Sequence, residues 1–423
     1  MTKASAPVRR LDDWSADLLR EVAAESGTPT YVIDLDRVEE NYRRLAAAFE
    51  DASIHYAAKA NAGSAVLSRL ESIGAGVECA TAGELRRAVQ AGFEGDDLLY
   101  TPVNPPGRDL DVALEIQREH PGLTITVGSG DTLDRLASRG YTGRIAVRVH
   151  PGVGSGHGPA VATGGDAKFG VPPETALDLL EKSGNRGMNP VGIHAHVGSG
   201  ILDAGDTAYR EMVETLGDVA ERAEPSLEFV DVGGGFGVPY RPSEDPLDVE
   251  RLGGRVREAL GELVDRGVSV KIEPGRYLVA DAGVLLARVN TVKPIMEDTH
   301  PVEGQVLAGV DAGMTDLLRP ALYDAAHEVR NLDPGAGNRE TVQVSVVGPI
   351  CESTDVLAAD RRLPRPSRGD LLAIGNAGAY GIEMANNYNS RPRPPVVAIE
   401  GGELTLVRRR ETIDDITDPE VRR

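Results

Sequence analysis

The stretch LEFVDVGGGFG (227–237) runs from an apolar segment straight into three glycines, and VSVKIEPGR (268–276) ends in a similar way, on Glu273, a Pro-Gly bend and Arg276. A short apolar run bounded by turn residues reads as a strand covered on both faces, the kind found in parallel sheets. Working outward, six such runs precede these two, at Ile54–Ala58, Val77–Cys79, Leu98–Tyr100, Leu123–Val127, Ile145–Val149 and Val191–Val197. The last two are bounded as Leu227–Val232 and Val268–Glu273. Amphipathic stretches lie between them, among them Ala82–Ala91, Thr132–Ser138, Pro173–Lys182, Asp206–Arg222 and Val249–Arg266, several opening on Asp, Thr or Pro as helices do. Eight β/α alternations between about residue 50 and residue 275 predict an α/β fold, a (β/α)8 TIM barrel.

After Asp281 the helical pattern gives way to strand-like runs at Val284–Val292, Gln305–Val310, Val342–Val347, Asp370–Ile374 and Val396–Ile399. NLDPGAGNRE (331–340) and LPRPSRG (363–369) read as loops between them. The expected division is therefore an N-terminal helix and strand over 1–34, the strand packing on the C-terminal β domain, then a barrel over 35–280, then a C-terminal β-sandwich or barrel domain over 281–423.

The 423 residues are enough for two domains, and 41% hydrophobic content with no run of eighteen apolar residues predicts a soluble protein with no membrane partner. The start, MTKASAPVRR, has no apolar signal core, so a cytoplasmic location is expected. A net charge of −21 opposes binding to nucleic acid, because an acidic field repels phosphate. Cys79 and Cys351 are the only cysteines and read as free thiols. Only six of the 45 basic residues are Lys, and so acidic a surface suits a salt-rich, halophilic cytoplasm.

Barrel enzymes carry their functional groups where strands end, on the C-terminal face. Lys59 follows the first strand in HYAAKAN, Glu78 closes the second, His196 ends the sixth, Gly233, Gly234 and Gly235 follow the seventh, and Glu273, Pro274, Gly275 and Arg276 follow the eighth. The glycines offer unhindered backbone N–H groups that suit an anion, or simply a tight turn. Lys59, in a chain poor in lysine, suits an amine that forms a Schiff base, or a strand-end lysine reaching for solvent. Glu273 suits a carboxylate facing a protonated ring nitrogen, or a structural ion pair. His194 and His196, two apart on a strand, face one side, an arrangement used for metals; alternatively His196 contacts a flat ligand and His194 is core. PGVGSGHG (151–158) lacks the GxGxxG spacing of a dinucleotide fingerprint and reads as a mobile loop.

In this order, HYAAKAN, ECATAGEL, HAHVGSG, DVGGGFG, EPGRY, VDAGMTDLLRPALYDAAH, GPICESTD and GNAGAYG resemble the diaminopimelate decarboxylase family, within the alanine-racemase-like group of pyridoxal-phosphate enzymes. The match runs from about Thr28 to Glu400. The resemblance implies pyridoxal 5'-phosphate as cofactor and no catalytic metal. It further implies a reaction through a Schiff base on Lys59 that takes meso-2,6-diaminopimelate to L-lysine and carbon dioxide, the last step of lysine biosynthesis. It implies that His196 stacks on the pyridine ring, and that Glu78, Ser199, Gly234, Gly235, the 273–276 segment and Tyr380 hold the cofactor, with Glu273 at the ring nitrogen. Cys351 is then the proton donor, contributed by the partner subunit of a homodimer with shared active sites.

Diaminopimelate carries a carboxylate and an ammonium at its far end, so its pocket needs partners of both signs. By resemblance these are Arg319 with Tyr323 for the carboxylate and Glu352 for the ammonium, with Arg276 and Tyr380 near both cofactor and substrate. A surface Arg on a helix is the ordinary alternative for Arg319. The Gly-rich segment between His150 and Gly170 departs from the family pattern, although Lys168-Phe169-Gly170 is retained. Three other readings stay open: a decarboxylase of ornithine, arginine or carboxynorspermidine, a metal-dependent barrel hydrolase built on His194 and His196, and a cofactor-binding relative without catalysis.

Overall fold

The computed structural model describes residues 7–155, 168–294 and 306–421. The chain forms two compact units, one of residues 39–238 and 246–278, the other of residues 1–38, 239–245 and 279–423. Among the described residues, no helix is long and apolar enough to cross a membrane.

In chain order the first strand, β1 (Thr30–Asp34), belongs to the second of these units. The first unit is built on β2 (Ala52–Ala57), β3 (Gly76–Cys79), β4 (Leu98–Tyr100), β5 (Thr124–Val127), β6 (Arg144–Arg148), β7 (Asn189–His194), β8 (Phe229–Asp231) and β9 (Ser269–Ile272). Each pairs in parallel with the next, and β9 closes on β2, so the eight make a barrel. The apolar runs locate all eight strands because a barrel strand is covered on both faces, by the barrel interior and by the helices outside. Ala146, Val191 and Phe229 form part of that packing. The helices start where polar caps predict. Asp206 accepts the Tyr209 N–H at 2.9 Å, and Asp248 accepts the Arg251 N–H at 2.9 Å.

Within the barrel, the departure that matters most is at β7, which ends on His194 rather than Val197, so His196 lies in the following loop. Beyond His194 the chain leaves the ladder. Gly198 and Gly200 have positive φ, and the N–H groups of Gly200 and Ile201 both donate to the Gly235 carbonyl at 3.0 Å. Lys59 likewise sits in a single 3-10 turn, Ala58–Ala60, just past β2.

In the second unit, β10 (Gly283–Pro294), β11 (Val306–Val310), β12 (Val329–Asn331), β13 (Thr341–Val347), β14 (Val356–Pro364), β15 (Leu371–Ile374), β16 (Val396–Glu400) and β17 (Glu403–Arg408) join β1 in a mixed nine-stranded sheet. The early residues of β10 pair with β1 and β15, its later ones with β11. Trp14, Leu19, Val32, Val284 and Leu286 lie in the core under this sheet. Three strands, β12, β14 and β17, lack the apolar pattern that marks the others. β12 is three residues long, β17 is largely exposed, and β14 carries charges in its middle and a bulge at Asp360, where φ is +51°. Leu363 and Pro364, expected in a loop, are the last residues of β14. Gln305 and the 156–167 part of the loop expected to be mobile lie outside the described residues.

Candidate active site

Polar residues converge on the C-terminal end of the barrel because each follows a parallel strand. The Lys59 ammonium forms an ion pair with the Glu78 carboxylate at the end of β3, and Glu78 is buried while Lys59 is partly exposed. His196 Nδ1 accepts the Gly234 N–H at 3.4 Å. Desolvation, followed by the positive charges of Lys59 and Arg148, holds the imidazole well below its ordinary range, so it is neutral at pH 7. Arg276 donates to the Ser199 hydroxyl through Nη2 at 3.0 Å and Nε at 3.3 Å.

Glu273, directly after β9, is buried. Its Oε2 lies 3.2 Å from His194 Nε2, and its Oε1 has no hydrogen-bond partner among the described residues. Burial, and next the negative charge of Glu78, push its carboxyl up to about 8. Asp231 at the end of β8 is pushed up to about 8 as well, by burial and then by Glu273, although its Oδ1 accepts the Gly233 N–H at 2.8 Å. Burial lowers His194 to about 4. His194, Asp231 and Glu273 can each direct one ligand atom to a common point. The expected metal pair of His194 and His196 is therefore not the cluster that forms: among the described residues, His196 takes no part in it. Nor is His194 merely packed, since it bonds Glu273.

Two glycines show how closely backbone and site approach each other. A Cβ on Gly234 would lie 2.0 Å from the Glu273 carbonyl oxygen. Gly235 has φ +97°, and a Cβ there would lie 2.8 Å from the Gly198 carbonyl oxygen. Only glycine serves at either position. The resulting rim, with Ser199 and Arg276 alongside and an unpartnered buried oxygen on Glu273, fits a cofactor that has a phosphate at one end and a ring N–H at the other.

The remaining expected residues lie in the other unit. Arg319 opens the short helix Arg319–Tyr323 and is only 2% exposed, so it is not a surface arginine. Its guanidinium sits 4.8 Å over the Tyr240 ring and donates to the Tyr240 hydroxyl at 3.4 Å. Tyr323 is half-buried. Cys351 is exposed, with Asn389 Nδ2 at 3.3 Å from its sulfur, and Glu352 accepts the Tyr388 hydroxyl at 2.6 Å. That bond pushes the Tyr388 phenol up to about 12. Tyr380 is half-buried with φ +55°. Cys79, the other free thiol, is buried.

Asp231, Tyr240, Tyr388 and Asn389 escape the sequence reading. Asp231 carried a signal, as a carboxylate inside an otherwise apolar strand. Tyr388 and Asn389 carried none, because they reach Glu352 and Cys351 from a loop remote in sequence.

A family model for the pyridoxal-dependent decarboxylase pyridoxal binding domain matches residues 35–280. The chain is 42% identical over 414 residues to the diaminopimelate decarboxylase of Methanothermobacter thermautotrophicus, covering 94% of this chain and 92% of that protein. The structure is similar to diaminopimelate decarboxylase from Helicobacter pylori complexed with L-lysine, with a TM-score of 0.85 and 31% identity, covering 95% of this chain and 98% of that one. Similarity extends to the lysine/ornithine decarboxylase of Vibrio vulnificus complexed with putrescine, at TM-score 0.78 and 26% identity over 93% of this chain and 99% of that one. With a barrel of this topology and likeness over nearly its full length, the chain belongs to the diaminopimelate decarboxylase family of pyridoxal-dependent decarboxylases.

Proposed function

We propose that the chain decarboxylates meso-2,6-diaminopimelate to L-lysine and carbon dioxide. When bound, pyridoxal 5'-phosphate supplies the aldehyde carbon that takes an amine and the protonated ring that accepts the electron pair left by departing carbon dioxide. Lys59 would carry the cofactor through Nζ, with Glu78 fixing that amine beside it. Glu273 would hold the ring nitrogen through Oε1. His196, kept neutral, would lie against the ring face. Ser199, Gly234, Gly235 and Arg276 would hold the phosphate, with Pro274 and Gly275 shaping the bend and Tyr380 closing over the ring.

The observation that carries the substrate assignment is the buried guanidinium of Arg319, stacked on Tyr240. A buried arginine costs several kcal/mol unless it meets polar or anionic partners, and its fork fits a carboxylate. Arg319, with Tyr323, would bind the distal carboxylate, Glu352 would bind the distal ammonium, and Arg276 would border the substrate as well as the cofactor. Cys351 would give its Sγ proton to the α-carbon once carbon dioxide has left, with the sulfur steadied by Asn389. The exposure of Cys351 and Glu352 supports a homodimer in which these residues complete a neighbour's site. The net charge of −21 and the absence of a crossing helix among the described residues support a cytoplasmic, halophilic enzyme with no nucleic-acid or membrane partner.

The decisive experiment measures carbon dioxide release from meso-diaminopimelate, ornithine and arginine side by side, and the protein's visible absorbance before and after borohydride. Release from diaminopimelate with a borohydride-trapped adduct on Lys59 is expected. A preference for ornithine would overturn the substrate assignment, and a colourless, zinc-containing protein would overturn the chemistry.

A further inference from the structure

We propose that a groove within the unit of residues 1–38, 239–245 and 279–423 binds a small polyanion bearing two or more phosphate or carboxylate groups. The groove encloses about 1060 Å³, and Arg10, Arg20, Arg241, Arg330, Arg361 and Arg362 line it. Six guanidiniums around one groove stand out in a chain of net charge −21. Ligand-sized cavities run from roughly 300 to 1,000 Å³, so the groove has room for a small molecule.

Ion pairs offset three of these six guanidiniums. Glu328 pairs with Arg10 at 3.3 Å, Asp12 with Arg330 at 3.3 Å and Asp333 with Arg339 at 2.9 Å, while Arg20 pairs with Asp17. Three arginines remain. Arg241, Arg361 and Arg362 form no ion pair with any described carboxylate. Arg361 donates instead to two neutral carbonyls, that of His327 at 3.4 Å and that of Ala359 at 2.8 Å. These bonds fix its orientation without forming an ion pair. Burial and then the nearby Arg241 lower its proton affinity, which Asp360 and Asp324 only partly offset.

Two of these arginines are neighbours on β14. The β13–β14 pairing passes from Val344 opposite Arg361 to Val346 opposite Ala358, so β14 holds an extra residue there, and Asp360 adopts φ +51°. Arg361 and Arg362 follow that bulge in regular register, opposite Val344 and Gln343, and both border the groove. A planar fork on each suits bidentate contact with phosphate or carboxylate oxygens.

The test is calorimetric titration of the full-chain holoenzyme with pyrophosphate and, separately, with citrate. Saturable binding of pyrophosphate alone identifies a phosphate ligand, and of citrate alone a polycarboxylate; either supports the proposal. The double variant R361Q/R362Q should bind at least about tenfold more weakly, with R361K/R362K restoring part of the affinity, as expected when charge-assisted hydrogen bonds are lost. Affinity should also fall as salt rises. Failure of both anions to saturate by about 10 mM, a dissociation constant worth under 3 kcal/mol, would overturn the proposal. So would unchanged binding by R361Q/R362Q. If circular dichroism shows that variant unfolded, R362Q, which alters only an exposed side chain, takes its place, and unchanged affinity there overturns the proposal equally.

Discussion

His194 Nε2 lies 3.2 Å from Glu273 Oε2 in the buried end of the barrel, and burial moves the two groups in opposite directions, the imidazole down to about 4 and the carboxyl up to about 8. Both shifts favour the uncharged forms, a neutral imidazole and a carboxylic acid. A ring nitrogen brought to Glu273 Oε1 would meet a group whose charge state that ligand decides.

Replacing Glu273 with Gln keeps the shape and removes the ionisable oxygen. Carbon dioxide release should fall by about 10²–10⁴, the usual range for a lost proton-holding group, while cofactor still binds. A variant with full turnover would contradict the assigned role.

The same cluster sets a pH dependence of stability after the cofactor is removed. Asp231 and Glu273 are raised to about 8 in the folded chain, so above their unfolded values the folded state binds more protons and stability falls as pH rises. His194, lowered from 6.5 to about 4, has the opposite slope, but only up to pH 6.5. Between pH 6.5 and 8 the carboxyl contribution is unopposed by His194, and the melting temperature of the apoprotein should drop. Asp231→Asn should flatten that decline, because it removes one of the two carboxyls that hold a proton to about pH 8 in the folded chain. Thermal melts at half-unit pH steps measure both.

Gly234→Ala places a methyl 2.0 Å from the Glu273 carbonyl oxygen, which must shift. Overpacking of this kind costs about 1–3 kcal/mol. Because the displaced backbone carries Glu273, retention of cofactor on dialysis should suffer more than the melting temperature.

Arg319→Lys keeps a charge but loses the fork and the stacking on Tyr240. Loss of a charge-assisted bond of about 1.5–3 kcal/mol corresponds to a KM for diaminopimelate roughly 10- to 100-fold higher. Turnover at saturation should change far less, and steady-state kinetics would separate the two.

Cys351→Ala should lower kcat by about 10²–10⁴ and leave the borohydride adduct on Lys59 intact. Mass spectrometry of the trapped protein, set beside the turnover number, checks this.

Much of the barrel was legible because covered parallel strands are continuous apolar runs, and a run needs no knowledge of its partners. The exact strand ends were less so. His196 leaves the ladder through glycines whose positive φ follows from contacts with the 233–237 loop, a tertiary cause. The β-rich unit was harder, since β14 breaks its own alternation at Asp360 and β17 has little apolar face. At the site, residue types at strand ends announced Lys59, Glu78 and Glu273. The burial of Arg319 was invisible, because a five-residue helix with exposed Leu322 shows no consistent face.

β1 lies between β10 and β16, paired antiparallel with one and parallel with the other. During synthesis, Thr30–Asp34 emerges before the whole barrel, and both of its neighbours emerge after it. A buried apolar strand must wait with its edges open until β10 and β16 have been made, so its pairing is non-local and comes after the eight barrel strands are available. Expression of the barrel by itself should accordingly be easier than expression of the β-rich unit by itself.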